Sequence, residues 1–364
     1  MSGNRVLKGD CKAKSHPSTV NDSFVKTQTH HFMLNGKPLV FNGFNAYWLM
    51  CMASDPSTRA KVTAAFQESS KIGMNLVRTW AFSDGGNKPL QTSPGIYNEG
   101  MFKGLDFVIS EAKNDDEFFT NVVVKGYYKN HLKTILTRRN SITGVEYKDD
   151  PTIFSWELMN EPRCQSDLSG KFLQDWIVEM AAEIKSIDKN HLLEIGLEGF
   201  YGESMPDKKQ NNPGYEVGTD FITNNGVNNV DFATIHLYPD QWVSGASDEA
   251  RAKFVENWIA SHIGDCDSIL KKPLLIAEFG KSSWSSGYTV EARDEYFRGI
   301  FDMAYESARN RRSCSGTTFW QVMAVGMDNW GDGYQVVLDT NPSTAAVIAK
   351  QSQRISSLNS SLEL

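Results

Sequence analysis

The sequence has few of the features that mark metal sites, membrane spans or nucleic-acid binders. Only five of its 364 residues are cysteines, none is in a C-x-x-C pair, and none has a histidine at metal-ligand spacing, which argues against a zinc site. No run of about 18 apolar residues occurs, so no membrane-spanning helix is expected. Asp and Glu outnumber Lys and Arg by 44 to 37, whereas nucleic-acid binders usually carry a basic surplus. We therefore expect no metal, no cofactor, no membrane and no nucleic acid.

The domain organisation follows from where the chain is polar. Residues 1–30 are polar and lack hydrophobic periodicity, which predicts a disordered N-terminal segment. This segment also lacks the apolar stretch of a signal peptide. Beyond it there is no Pro-, Gly- or Ser-rich linker and no low-complexity run. Residues 31–364 are therefore predicted to form one domain.

Seven short apolar runs, rich in β-branched and aromatic residues, alternate with amphipathic stretches of helical period. They are 39–47, 74–82, 152–160, 192–198, 230–238, 272–279 and 316–322. This alternation predicts a parallel sheet that is covered by helices.

The spacing of these runs indicates the architecture. Neighbouring runs are about 40 residues apart, the length of one βα unit, except that 74–82 and 152–160 are separated by about twice that length. The spacing thus predicts eight units, a (β/α)8 barrel, with one strand unseen. An open doubly wound sheet is less compatible, because no glycine-rich phosphate-binding turn follows the first strand.

Polar and aromatic side chains occur where five of the predicted strands end. They are Arg78, Trp80, Asn160, Glu161, His236, Tyr238, Glu278 and Trp320. The carboxyl ends of barrel strands form one mouth, which is where barrel enzymes have their active sites. Each residue alone has an ordinary alternative, such as a surface arginine, a glutamate in a first helical turn or a core histidine. Together they favour an active site, because gathering such groups around one axis is costly unless they act together.

Two carboxylates at one mouth suit glycoside hydrolysis, which needs one protonated acid and one ionised nucleophile. We predict a separation of about 5–5.5 Å between the carboxyl groups of Glu161 and Glu278, the distance that gives retention of configuration. Arg78, His236 and Tyr238 would keep the nucleophile ionised and oriented, while apolar surroundings would raise the pKa of the acid.

The remaining predicted residues would bind the sugar. Asn160 can donate a hydrogen bond to a sugar 2-hydroxyl, a contact that tightens in the transition state. Trp80 and Trp320 offer flat faces on which a sugar ring can stack.

The motifs also resemble a known family. WELMNEPRC resembles the acid/base signature of glycoside hydrolase family five, and IAEFGKS resembles its nucleophile strand. From about residue 30 onward, seven blocks in order resemble plant-type endo-β-1,4-mannanases: FMLNGKPLVFNGFNAYWLM, NLVRTWAFSDGG, VVKGYYKNHLKTILTRRN, YKDDPTIFSWELMNEPRC, ATIHLYPDQW, KPLLIAEFGKSS and FWQVMA.

The resemblance implies a secreted, monomeric, endo-acting enzyme that cuts β-1,4-mannans, galactomannans and glucomannans of the cell wall. By motif, Glu161 falls on the acid/base and Glu278 on the nucleophile. The other six residues fall on substrate-binding or supporting positions of the site.

The chain departs from this family in the double-length interval. In the family, a third strand and its loop follow the second helix, whereas here GLDFVISEAK (104–113) continues directly into NDDEFFTN (114–121). We therefore predict that the third strand and its loop are missing or irregular, with Val122–Val124 serving as a short third strand as the alternative.

Three other functions compete with a fully active mannanase. A cellulase-like β-glycanase would share both glutamates. A catalytically impaired mannan-binding homologue would follow from the missing strand. A barrel aldolase is least compatible, because no lysine lies at a strand end.

Overall fold

The computed structural model describes residues 24–81, 91–93, 96–97 and 115–361. The chain begins there with an antiparallel sheet of β1 (Lys26–Gln28), β2 (His31–Leu34) and β3 (Lys37–Leu39). Asn35 and Gly36 join β2 to β3 with φ of 52° and 77°, the positive values that a two-residue hairpin turn requires. Because β1 pairs with β2, the predicted disorder of residues 1–30 is wrong for residues 24–30. Residues 1–23 lie outside the described residues.

The predicted barrel strands are present. They are β4 (Phe41–Asn45), β5 (Leu76–Arg78), β8 (Ser155–Glu157), β9 (Leu192–Glu194), β10 (Ala233–Leu237), β11 (Leu274–Phe279) and β12 (Cys314–Phe319). Each falls within or overlaps one of the seven apolar runs. Two short strands, β6 (Gln91–Ser93) and β7 (Ile96–Tyr97), form a separate antiparallel pair.

The barrel strands lie side by side in parallel. One sheet has the order β10-β11-β12-β4-β5, and β8 pairs with β9. The two sheets meet between β9 and β10, where the Asp231 amide donates to the Leu193 carbonyl at 2.8 Å and the His236 amide to the Glu198 carbonyl at 2.9 Å. The described strands therefore follow one another around the barrel from β5 through β4, β12, β11, β10 and β9 to β8.

Helices cover the outside of this sheet. The longer ones are Arg59–Lys71, Val122–Leu136, Lys171–Ile187, Asp248–Asp265, Val290–Arg309 and Pro342–Ser361. In Lys171–Ile187, buried Leu173, Trp176, Ile177 and Met180 recur at the three- and four-residue spacing of one helix face. No helix in the described ranges is long and apolar enough to span a bilayer.

The antiparallel sheet of β1, β2 and β3, the hairpin sheet, closes the amino-terminal end of the barrel. Phe32 of β2 is fully buried, and its ring packs edge-on against Phe41, Phe154 and Phe232, with centroids 5.1–5.4 Å apart. Edge-to-face contacts of this kind add to the hydrophobic stabilisation from burying the rings. The opposite, carboxyl-terminal end remains open as the mouth.

The third barrel strand is absent from the described residues. Val122–Val124 does not replace it, because these residues form the first turn of the helix Val122–Leu136, whose N-cap Asn121 accepts from the amides of Val123 and Val124. Residues 104–113, which the sequence places before this point, lie outside the described residues. The structure therefore excludes the Val122–Val124 alternative, while the missing or irregular third strand stays a prediction.

A cavity of about 1400 Å³ lies between β5 and β8, where a third strand would pair with both. Its described lining includes both strands and apolar side chains of the helix Val122–Leu136. Two contacts cross or border this region. The Tyr128 hydroxyl donates to the Leu158 carbonyl at 2.5 Å, and Arg78 at the end of β5 donates to Glu157 at the end of β8.

We expect the backbone amides of β5 and β8 to exchange with solvent deuterium faster than those of β11. Each of the two strands is paired on one side only within the described residues, whereas β11 is paired on both, and unpaired strand edges open more readily. Hydrogen-exchange mass spectrometry measures this directly. Equal protection of all three strands would mean that another segment of the chain covers these edges.

Candidate active site

All eight predicted site residues lie at the carboxyl ends of barrel strands. Arg78 is the last residue of β5, and Trp80 follows it by two. Asn160 and Glu161 follow β8, His236 lies within β10 and Tyr238 directly follows it. Glu278 is the penultimate residue of β11, and Trp320 directly follows β12. The structure thus brings them to one mouth, as the strand pattern predicts.

Arg78 donates hydrogen bonds to four other residues of the site. Its Nε and Nη2 donate to the two oxygens of Glu157 at 2.6 and 2.7 Å, and Nη1 donates to Glu278 at 2.5 Å. Nη1 also donates to Asn45 at 2.9 Å, and Nη2 to Asn160 at 2.6 Å. All five guanidinium N–H groups are therefore used, on groups that come from three different strand ends.

Both oxygens of Glu278 accept a short hydrogen bond. Oε1 accepts from Arg78, and Oε2 accepts from the Tyr238 hydroxyl at 2.5 Å. Burial and the charge of Glu278 hold the pKa of Tyr238 well above its usual value, so the phenol keeps the proton that it donates. The Glu278 carboxylate is thereby held between two donors and fixed in orientation.

Glu161 lies beside Glu278 and faces His236. Its Oε1 is 2.7 Å from Nδ1 of His236, and one carboxylate oxygen of each glutamate lies within 4.8 Å of the other and of a His236 ring nitrogen. This is far short of the roughly 6.5 Å at which inverting geometry begins. Glu161 has φ of 49°, and its amide donates to the Gly196 carbonyl at 2.9 Å.

The expected rise in the pKa of the acid is wrong for the unliganded protein. Burial raises the pKa of Glu161, but the hydrogen bond and charge of His236 outweigh burial and leave that pKa lowered. Burial lowers the pKa of His236, but Glu278 and Glu161 raise it above the usual value. The sequence could not show this, because the contact joins residues on different strands.

The tryptophans form an aromatic wall with Tyr47. The Tyr47 ring stacks on Trp320 at 5.8 Å and 9°, and it lies 5.1 Å from Trp80. Trp320 is oriented by its Nε1, which donates to Asp332 at 2.6 Å, and its peptide bond to Gln321 is cis. The two predicted sugar-stacking residues are thus adjacent, with ring centroids 6.0 Å apart.

Sequence reasoning missed several charged and polar residues of the site. Asn45 ends β4, so the strand-end rule that found the others could have found it. Glu157 and Glu194 end β8 and β9. Each lies inside an apolar run, and the sequence pattern assigned neither of them a role in the site. Arg163 donates to the buried Glu198 at 2.9 and 2.6 Å, a pair that no local pattern reveals.

One group of side chains in the described part of the chain could reach a single ion. It consists of Glu161, His236 and Glu278. Two of its members already bond to each other, and Glu278 is held by Arg78 and Tyr238. The expectation of no metal remains a prediction.

Comparisons with known proteins identify a family. The profile described as "GH family 5 beta-mannosidase-like" matches residues 22–117 and 112–359. A rice (Oryza sativa subsp. japonica) protein named putative mannan endo-1,4-beta-mannosidase 9 is 55% identical over 374 residues, covering 93% of this chain and 91% of its own. Mannan endo-1,4-beta-mannosidase 4 of Solanum lycopersicum is 55% identical over 375 residues, covering 93% of each.

Solved structures show the same similarity. The endo-1,4-beta-mannanase from Rhizomucor miehei superposes with a TM-score of 0.72 at 27% identity, covering 92% of this chain and 99% of that one. The endo-beta-1,4-mannanase from Thermotoga petrophila gives 0.72 at 26%, covering 89% and 78%.

The same comparisons bear on the double-length interval of the sequence. The rice alignment, at 374 positions, is longer than the 364 residues of this chain, so it includes positions that have no residue here. The family profile matches in two pieces that meet at residues 112–117. The break lies in the double-length interval in which the sequence predicts a missing or irregular third strand.

We expect Arg78→Met to lower the free energy of unfolding at pH 7 by about 3–5 kcal/mol, because it leaves Glu157 and Glu278 without their cation. Burial raises the pKa of Glu157, but Arg78 outweighs it and lowers that pKa from 4.5 to about 2. The stabilisation of the folded protein by the Arg78–Glu157 pair is therefore complete above pH 4.5 and is lost as the pH falls towards 2.

Denaturant unfolding at pH 7, 4 and 3 measures this effect. The difference between the wild type and Arg78→Met should shrink as the pH falls through that window. Arg309→Met is the matched control, because Arg309 pairs with Glu306 on the surface and such pairs contribute about 0–1 kcal/mol. A loss at position 78 that is equal at all three pH values would contradict this account.

Proposed function

The chain belongs to glycoside hydrolase family 5, in its beta-mannosidase-like group, and on that premise we propose that it is an endo-acting, retaining hydrolase of β-1,4-mannosidic bonds. Its substrates are mannans, galactomannans and glucomannans. We assign Glu161 as the acid/base and Glu278 as the nucleophile. One observation carries the proposal: one oxygen of each carboxylate lies within 4.8 Å of the other at one mouth, which supports retention.

The first step forms a glycosyl-enzyme intermediate. A Glu278 oxygen attacks the anomeric carbon while the bond from that carbon to the leaving oxygen breaks, and Glu161 delivers a proton to that oxygen. Arg78 and Tyr238 hold Glu278 in the orientation required for attack. Holding the reacting groups in place in this way accounts for a large part of the barrier reduction.

The second step releases the sugar. Glu161, now ionised, takes a proton from water, the water oxygen bonds to the anomeric carbon, and Glu278 leaves as a carboxylate. His236 lies 2.7 Å from Glu161 and stays in hydrogen-bond contact with it while Glu161 loses its proton and regains one from water. This contact lets Glu161 alternate between its two protonation states during the cycle.

Asn160 and the aromatic wall bind the sugar. The Asn160 side-chain oxygen accepts from Arg78, which directs its NH₂ group away from the arginine and leaves it available to donate to a sugar 2-hydroxyl. Trp80 and Trp320, braced by Tyr47, provide apolar faces for a pyranose ring. We further propose that the protein acts as a monomer outside the cell on cell-wall mannan.

The predicted loss or irregularity of the third strand bears on the alternative of a catalytically impaired mannan-binding homologue. Displacement of catalytic groups by about 1 Å can cost on the order of 10²-fold in rate. Arg78, however, spans from β5 to Glu157 and Asn160 beyond the gap while still donating to Glu278. This contact supports an active enzyme.

The deciding experiment is a reducing-sugar assay of the purified protein on galactomannan and on carboxymethyl cellulose. Release of reducing ends from galactomannan alone is the expected result. Release from cellulose alone would favour the cellulase-like alternative, and binding of mannan oligosaccharides without release would favour the impaired homologue. Proton NMR of the first products gives the anomeric configuration, and an inverted product would overturn the retaining mechanism.

We expect Glu161→Gln and Glu278→Gln each to remove nearly all activity, with the double variant little worse than either single one, because both groups act in one covalent cycle. Initial rates on mannan oligosaccharides measure this. Glu179→Gln is the control, because Glu179 is a helix-surface residue paired with Lys125 and Lys129, and it should retain full rate. Substantial activity in Glu278→Gln would remove the nucleophile assignment.

A further inference from the structure

Two carboxyl groups lie together beneath Arg78. Glu157 and Glu194 are register partners on the adjacent parallel strands β8 and β9, and their carboxyl groups are close enough for each to shift the pKa of the other. Glu194 is 3% exposed, and no ion pair in the described part of the chain includes it. The proposed mechanism gives Glu194 no role, and two neighbouring carboxylates without a second cation need an explanation.

Charge balance indicates which form Glu194 takes. Arg78 brings one positive charge to Glu157 and Glu278, so a third negative charge at Glu194 would be buried without compensation. Burial and the neighbouring Glu157 hold the pKa of Glu194 well above its usual value, whereas that of Glu157 is lowered to about 2. Two carboxyl groups that share a site in this way hold one proton between them, and here it resides on Glu194.

The hydrogen bonds locate that proton within the carboxyl group. Oε2 of Glu194 accepts from the Gly196 amide at 2.5 Å and from the Thr234 hydroxyl at 3.1 Å. Since Oε2 serves as the acceptor, the proton belongs on Oε1, which is left to donate to Glu157. Gly196 permits this close arrangement, because a Cβ there would lie 3.0 Å from Glu157 Oε1 and 1.9 Å from the Met159 carbonyl oxygen.

We propose that Glu194 is a positioning residue: a neutral carboxylic acid that donates its proton to Glu157 and so fixes the chain Glu194–Glu157–Arg78–Glu278. The proposal rests on the proposed function, since Glu278 is its nucleophile. Glu157 holds two N–H groups of Arg78, and Glu194 fixes the orientation of Glu157. The nucleophile is thereby held through three successive hydrogen-bonded contacts that begin inside the barrel wall.

Glutamine reproduces the hydrogen-bonding groups of a neutral glutamic acid. Glutamine at position 194 offers an NH₂ group to donate to Glu157 and a carbonyl oxygen to accept from Gly196 and Thr234. Methionine has similar length but neither donates nor accepts strongly. Glu194→Gln should therefore preserve the contacts and Glu194→Met should remove them, whereas a requirement for a charged Glu194 would disable both variants alike.

The first test does not depend on activity. Infrared spectroscopy at neutral pH should show the C=O band of a buried protonated carboxylic acid in the wild type, and Glu194→Gln should abolish it. Asp265→Asn is the control, because Asp265 is an equally buried acid that contacts Lys208 and Tyr201, and the band should persist in it. Absence of the band from the wild type, or its survival in Glu194→Gln, would overturn the proposal.

The second test measures kinetics on mannan oligosaccharides. Glu194→Gln should keep kcat and the pH profile of the wild type. Glu194→Met should lower kcat by on the order of 10²-fold with little change in KM, because the nucleophile loses orientation while the sugar contacts remain. Full kcat in Glu194→Met, or equal losses in both variants, would overturn the proposal. If the wild type shows no hydrolysis, the proposed function fails while the infrared test still decides the state of Glu194.

Discussion

The Arg78 guanidinium is the interaction on which the rest of the site depends. Its five N–H groups bind Glu157, Glu278, Asn45 and Asn160, so a single rigid, planar group fixes the relative positions of several strand ends. A lysine could not do this, because its ammonium offers three donors on a flexible stem. The carboxylates in turn keep the arginine from being a buried, uncompensated cation, and the ensemble is stable only as a whole.

The same contact explains how a barrel without a described third strand keeps its mouth together. Strands β5 and β8 are not hydrogen-bonded neighbours, yet their last residues are joined by the two-pronged Arg78–Glu157 pair. At the opposite end, Phe32 from the hairpin sheet packs on Phe41 of β4 and on Phe154, the residue before β8. The region between β5 and β8 is thus bridged by the Arg78–Glu157 ion pair at the mouth and by aromatic packing at the base. An apolar cavity lies between these two contacts.

The site also shows how similar groups acquire different states. Glu157, Glu161, Glu194 and Glu278 all lie at or just beyond the carboxyl ends of barrel strands, but the first accepts two N–H groups of Arg78, the second faces His236, and the third is buried beside Glu157. The environment of each carboxyl group therefore assigns its role. Glu157 holds Arg78 in place and Glu161 transfers protons. Glu194 donates a hydrogen bond, and Glu278 is held in position for attack.

The sequence by itself determined the strands, their parallel arrangement and the eight residues at the mouth. These follow from local properties, because a buried strand must be apolar and a polar residue at its end stands out. Only the tertiary structure decided that His236 pairs with Glu161 and lowers its pKa, that Arg78 reaches across to Glu157, and that Glu194 lies beside Glu157. Those contacts join residues 37 to 79 positions apart, and hydrogen bonds between strands depend on register and side-chain direction, which leave no periodic trace in the chain.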